Sequence, residues 1–313
     1  MRGRSIVPKM VEGREAAISR KLILDLAVRQ QPVVFKGLFA GQAVRRIATV
    51  ADLPADWANT RVRPRAPAER INDPGKSFNE TTVLQFLTSR SPPAFVYERR
   101  ALVPANPIVA LPEALADWSV RKTDFDYYMG NAGAFTHLHF DANCRHNLHY
   151  QLIGRKRFLL FPEFCSKYLA SYQQSSRIFL ERMSAVERAN FAEFAGGYDC
   201  ILEPGDSLYI PPLAWHYVEY PEPSISLSFR FGKSRYNESL HQAMRGFHAS
   251  VELQHIAVGL LDDEGASPVY QEAHRELLAA IGDRYEYPRV QAKLEALCRR
   301  ICPEKIECLY AGW

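Results

Sequence analysis

The sequence predicts a mainly β core, a sandwich or barrel, with helical segments on either side of it. Between residues 94 and 231, nine short apolar or alternating runs are separated by Gly and Pro: AFVYERRAL, DFDYYMGN, AFTHLHFD, LHYQLIG, KRFLLFP, YDCILEPGD, SLYIPP, WHYVEY and SISLSFRFG. Strands spaced this closely form sandwiches and barrels rather than alternating with helices. Helical spacing of apolar residues dominates before residue 32 and after Gly232. With 47% hydrophobic residues in 313, the chain can bury a substantial core.

Residues 15–31 (EAAISRKLILDLAVRQQ) carry a helical stripe, and PVVFKGL at 32–38 reads as a short buried strand closed by Gly37. The stretch 51–76, rich in Pro, Arg and Asp, reads as loop, with Arg61, Arg63, Arg65 and Arg70 on a solvated face. NETTVLQFLTSR at 79–90 is expected to be a helix capped by Asn79. One helix, about 177–194, interrupts the strands between the fifth run and the sixth, and three more are expected after Gly232. The chain thus divides into a mixed helix and strand region at 1–92 packing on the core, a β core at 93–232 and a helical region at 233–313.

The formal net charge of +4 is mildly basic, short of a nucleic-acid-binding signature. No run of eighteen apolar residues occurs, and the first 21 residues lack a secretory apolar core, so a soluble cytoplasmic protein with no membrane partner is expected. Six scattered cysteines without a paired CxxC spacing read as reduced thiols. Cys298, Cys302 and Cys308 fit helix packing better than a zinc site.

Chemistry concentrates in FTHLHFDANCRHNLHYQ, residues 135–151, which holds four of the nine histidines around Asp141. Residues two apart on a strand face the same way, so His139 and Asp141 can point together into a barrel. A third ligand is available in EPGDSLYIPPLAWHYVE, where His216 follows a tight turn and a strand ended by Pro211 and Pro212. Two histidines and one carboxylate leave coordination positions open, the arrangement of Fe(II) oxygenases. His137 with His139 also spells a His-x-His pair, which with His216 gives a three-histidine alternative, although Asp141 would then be an unpaired carboxylate facing the ligands. His146 reads as a loop histidine and His149 as a satisfied strand histidine, and Tyr127 and Tyr128 divide between core and pocket wall.

GNAGAFTHLHFD, QLIGRKRFLLFP, LEPGDSLYIPPLAWH and SISLSFRFG, in that order, resemble the successive motifs of the Jumonji C, or cupin-like, branch of the 2-oxoglutarate and Fe(II)-dependent oxygenases. Within that branch the nearest pattern is that of the asparaginyl hydroxylase of hypoxia-inducible factor. The resemblance covers roughly residues 93–232 and implies a double-stranded β-helix, a jelly-roll of two sheets, with N-terminal α/β elements and C-terminal helices. It implies His139, Asp141 and His216 as iron ligands, and Lys156 as the partner of the far carboxylate of 2-oxoglutarate. Lys156 shares its strand face with Phe158 and Leu160, opposite to Arg155 and Arg157, and a lysine so placed needs an anion. By the same resemblance Thr136 and Tyr97 reach that carboxylate and Asn147 contacts the co-substrate. Ser228 stands where the family usually has an asparagine, and Thr136-His137-Leu138-His139 replaces Thr-Pro-x-His.

The implied activity is hydroxylation of a C–H bond with Fe(II), 2-oxoglutarate and O2, on a peptide or protein side chain. A small molecule, a tRNA base or a methyl-lysine undergoing demethylation are other substrate classes for the same oxidant. A non-enzymatic cupin-like binding protein is the alternative from a different class. The C-terminal helices resemble in position the dimerisation helices of the asparaginyl hydroxylase, so a homodimer is expected.

Overall fold

The computed structural model describes residues 9–12, 18–67, 77–89, 92–99, 109–116, 125–141, 145–172, 175–232 and residue 296. The expected C-terminal helices with their dimer contact, Arg70, Cys144 and the Cys298, Cys302 and Cys308 group lie outside the described residues.

β1 (Lys9–Glu12), helix α1 (Arg20–Val28) and β2 (Val33–Lys36) are followed by α2 (Ala55–Asn59), β3 (Arg61–Val62), β4 (Thr81–Thr82), α3 (Val83–Thr88), β5 (Phe95–Arg99) and the single turn α4 (Glu113–Ala116). Next come β6 (Phe125–Gly130), β7 (Phe135–His139), β8 (His146–Ile153), β9 (Lys156–Phe161), and the two-residue strands β10 (Ser171–Tyr172) and β11 (Ser175–Ser176). Helix α5 (Ala185–Ala195), β12 (Tyr198–Leu202), β13 (Asp206–Ile210), β14 (Trp215–Glu219) and β15 (Ser224–Phe231) complete the described chain. Each of the nine expected strand runs overlaps one of these strands. Helix α3 begins later than expected, because Thr82 and not Asn79 is its cap. The Thr82 hydroxyl accepts from Gln85 N, while the Gln85 side chain accepts from Thr82 N. Helix α5 likewise starts at a capping box, Ser184 with Glu187, which leaves residues 180–182 as a separate 3-10 turn.

Two sheets face each other: β1-β2-β13-β8-β15-β6-β5 and β10-β11-β7-β14-β9-β12. From β6 to β9 and again from β12 to β15, successive strands alternate between the sheets, which is the winding of a double-stranded β-helix. Apart from the parallel pair β1·β2, the ladders are antiparallel. Strand parity then sorts the side chains. The outer face of the seven-stranded sheet carries Phe35, Leu148, Tyr150, Tyr209, Leu227 and Phe229, packed against Ile23, Trp57 and Phe86 of the N-terminal helices. The outer face of the six-stranded sheet carries Leu138, Leu159, Phe161, Trp215 and Tyr217 beneath α5. Between the sheets lie Val34, Phe158, Leu160, Leu208, Ile210 and Val218. Tyr127 is in the outer cluster while Tyr128 faces inward, the division expected for that pair.

Buried polar contacts tie the helical cover to this frame. Gln30 donates to the carbonyl of Pro212 at 3.1 Å, and its own side-chain carbonyl receives Glu163 N at 3.2 Å. This anchors the turn that precedes His216. Trp215 Nε1 donates to Ser166 Oγ at 2.8 Å. His146 opens β8 and is not a loop residue; its Nδ1 lies 2.8 Å from the Tyr209 hydroxyl, which reaches the carbonyl of Ile23 in α1. Among the described residues no helix is long and apolar enough to cross a membrane.

Two outcomes follow from this frame. Gly154 joins β8 to β9 at φ +64°, and a Cβ there would lie 2.2 Å from the carbonyl oxygen of Pro223. Gly154→Ala is expected to cost about 2 kcal/mol or more, seen as a lower denaturant midpoint. Burial lowers the pKa of His146 from 6.5 to about 4. The unfolded chain therefore takes up this proton at higher pH than the folded one, and stability is lost as pH falls from about 6.5 toward 4. Denaturation series across that window should show a shallower loss in His146→Gln than in the parent.

Candidate metal and co-substrate site

His139 ends β7, and His216 lies directly opposite it on β14. Their rings stand 4.1 Å apart, centroid to centroid. Each ring is oriented by the carbonyl two residues back on its own strand: His139 Nδ1 lies 2.7 Å from the His137 carbonyl and His216 Nδ1 lies 3.2 Å from that of Ala214. A carbonyl only accepts, so both Nδ1 atoms carry the proton and both Nε2 atoms present lone pairs. Asp141, two residues past His139, completes a group whose ligand atoms all lie within 4.8 Å of one another. This fits a divalent ion held by two neutral imidazoles and one carboxylate with positions to spare.

The charge states suit a metal. Burial lowers the His139 pKa to about 3, with His216 adding to the effect. Burial by itself would raise the Asp141 carboxyl, but Arg230, His216, His139 and a hydrogen bond from Asn147 outweigh it and bring the pKa to about 2. Near neutral pH the site therefore offers two neutral imidazoles and a carboxylate, with no proton to displace.

Position in the strands accounts for the other expected residues. The β7·β14 register shifts between His216 and Val218, so that His139 faces His216 while Thr136, three residues earlier, faces Val218. The extra residue of this β-bulge brings Thr136 onto the inward row with His139. It also turns His137 outward: its Nδ1 is 3.0 Å from Glu181, its Nε2 is 2.8 Å from the Ser176 carbonyl, and its ring packs on Phe179. The three-histidine alternative is thereby overturned, because His137 sits on the far side of the strand from His139 and His216.

Lys156 is 1% exposed and faces inward with Phe158 and Leu160, whereas Arg155 is half-exposed and paired to Glu222. Its ammonium lies 2.9 Å from Ser226 Oγ and 3.2 Å from His149 Nε2. The rings of Tyr220, Tyr128 and Phe158 surround it at 4.6, 5.1 and 5.5 Å. No carboxylate among the described residues reaches it, and burial holds its pKa well below 10.5. A buried cation without a counter-charge is costly, so this pocket fits the far carboxylate of a dicarboxylic co-substrate.

Asn147 and Ser228 are joined by a 2.7 Å hydrogen bond, and Asn147 also bonds Asp141, so this pair supports the carboxylate ligand. Tyr97 stands opposite Tyr128 in the β5·β6 ladder, in the row that continues to Ser226. Two participants escape a residue-by-residue reading of the sequence. Arg230 approaches Asp141 Oδ1 at 3.3 Å and the Tyr128 hydroxyl at 3.0 Å, and Asp126 at 3.5 Å. His149 contacts Lys156 and Ser226. Parity was the available signal: Ser226, Ser228 and Arg230 are alternate residues of β15, and Asn147 and His149 of β8.

Comparison with known proteins agrees with this geometry. Residues 109–237 match the cupin-like domain family. The lysine-specific demethylase JMJ30 of Arabidopsis thaliana is 39% identical over 109 residues, 33% of this chain and 24% of that protein. Jumonji C domain-containing protein 5 of Drosophila melanogaster is 33% identical over 117 residues, 34% of this chain and 27% of that protein. HSPB1-associated protein 1 of Homo sapiens is 34% identical over 103 residues, 31% and 21% of the two chains. Over this stretch the chain is similar to cupin-like and JmjC proteins, and the aligned part spans about a quarter of the length of these relatives. The likeness is to JmjC proteins broadly rather than to the asparaginyl hydroxylase in particular.

Calorimetric titration with Mn(II) should show one site in the parent, weakened at least about 100-fold by Asp141→Asn and by His139→Ala.

Proposed function

We propose that the protein is an Fe(II)- and 2-oxoglutarate-dependent oxygenase that hydroxylates a C–H bond of a peptide or protein side chain. The observation that carries this reading is the pairing, inside one barrel, of the His139, Asp141 and His216 group with a buried lysine that lacks a carboxylate partner. An open two-histidine, one-carboxylate site suits iron, and Lys156 suits the far end of the co-substrate. Iron at this site would activate O2 as 2-oxoglutarate loses CO2 to become succinate, one oxygen atom entering succinate and the other the substrate C–H bond.

The chain's own part is orientation and exclusion of water. The carbonyls of His137 and Ala214 fix both imidazoles, Arg230 and Asn147 hold Asp141, and Phe158, Tyr128 and Tyr220 keep the Lys156 end dry. The protein substrate class is supported by one relative, named as a lysine-specific demethylase. The name of the Arabidopsis relative, a lysine-specific demethylase, favours one further reading, removal of a methyl group from lysine, in which the hydroxylated methyl leaves as formaldehyde.

Anaerobically prepared protein given Fe(II), 2-oxoglutarate and then O2 should form succinate slowly without added substrate, and His139→Ala should form none above background. Peptide arrays read by mass then separate the outcomes: a gain of one oxygen atom supports hydroxylation, and loss of a methylene unit supports demethylation. Absence of both metal and 2-oxoglutarate binding would support the binding-protein alternative.

A further inference from the structure

His149 is 4% exposed and its Nε2 lies 2.8 Å from Ser226 Oγ and 3.2 Å from Lys156 Nζ. With the 2.9 Å contact from Lys156 to Ser226, three polar atoms close a triangle where β8, β9 and β15 meet. The protons there do not balance. An ammonium has three donors. One meets Ser226 and one meets His149, and the third faces aromatic rings rather than an acceptor among the described residues. The Ser226 hydroxyl has one proton of its own, with His149 Nε2 at 2.8 Å and the Tyr128 carbonyl at 3.4 Å as acceptors. The triangle therefore has donors in surplus and lacks an anion.

A carboxylate brings two oxygens. Lys156 can serve one, and His149 Nε2 is the neighbouring nitrogen able to donate to the other once it no longer accepts from the ammonium. The imidazole is free to make that exchange, since its Nδ1 forms no hydrogen bond among the described residues. Resting on the oxygenase reading above, we propose that His149 is a second co-substrate-binding residue. On entry of the far carboxylate of 2-oxoglutarate, Lys156 turns a donor from His149 to one oxygen, and the ring donates from Nε2 to the other. The ring proton passes from Nδ1 to Nε2 through water, and no other covalent bond changes. Burial, with Lys156 beside it, keeps the His149 pKa well below 6.5, so the exchange is between neutral tautomers.

The test uses the full chain loaded with Zn(II), which supports binding without turnover. It is titrated calorimetrically with 2-oxoglutarate and with 2-oxopentanoate, which lacks the far carboxylate. His149→Leu should weaken 2-oxoglutarate about 10- to 100-fold, as for a hydrogen bond to a charged group, and leave 2-oxopentanoate within about 2-fold. His149→Gln retains an N–H donor and should recover most of the loss. In the parent with 15N-labelled histidine, adding 2-oxoglutarate should move the signal absent from His149→Leu from the Nδ1–H to the Nε2–H tautomer. Equal effects of His149→Leu on both ligands, or none on either, would overturn the proposal and leave His149 as packing for Lys156. A parent that binds neither ligand would instead overturn the oxygenase reading itself.

Discussion

The barrel closes over an ammonium that its own described residues do not neutralise. Lys156 is almost wholly buried among Tyr128, Phe158 and Tyr220, and its polar neighbours are a hydroxyl and an imidazole. Replacing a buried ion with an apolar group of similar volume is commonly neutral or stabilising, so a retained lysine is weak evidence for folding needs. The proposed function gives it a reason: an anion arriving there would stabilise the pocket, and the dryness that makes an unpaired charge costly would strengthen the pairing.

Around that constraint the two sheets divide the work. The six-stranded sheet supplies both imidazoles and the lysine, on β7, β14 and β9. The seven-stranded sheet faces them with a polar ladder from Ser226 through Ser228 to Arg230, joined across β8 to His149 and Asn147. Its lower end meets Lys156 and its upper end meets Asp141. A rise of about 3.4 Å per residue separates those ends by roughly 14 Å along the strand. Phe158, Leu160 and Val218 cover this polar face from the other sheet.

Much of this was legible in the sequence because strands obey a period of two. Alternation in FVYER, DYYMG and SISLSFRF marked strands directly, and the parity of Lys156 against Arg155 and Arg157 placed the lysine inside before any contact was known. His139 and Asp141 were legible through their spacing, and His216 through the Pro211-Pro212 turn ahead of it. What escaped depends on breaks in periodicity or on partners distant in sequence. The β7 bulge has no local marker, so His137 was read as able to join His139 when in fact it faces Glu181. Arg230 and His149 became meaningful only once the β15·β8 register set them beside Asp141 and Lys156. The start of α3 was misplaced because Asn79, Thr81 and Thr82 are all plausible caps, and the capping partner Gln85 decides among them.

On the proposed function, Lys156 is kept at a cost to the barrel for the sake of a dicarboxylic co-substrate. Thermal unfolding of the parent and of Lys156→Met, each with and without Mn(II) plus 2-oxoglutarate, tests it most directly. The variant is expected to melt no lower than the parent without ligands, and only the parent is expected to gain stability from the co-substrate. A variant that melts well below the empty parent yet is still stabilised by 2-oxoglutarate would contradict it.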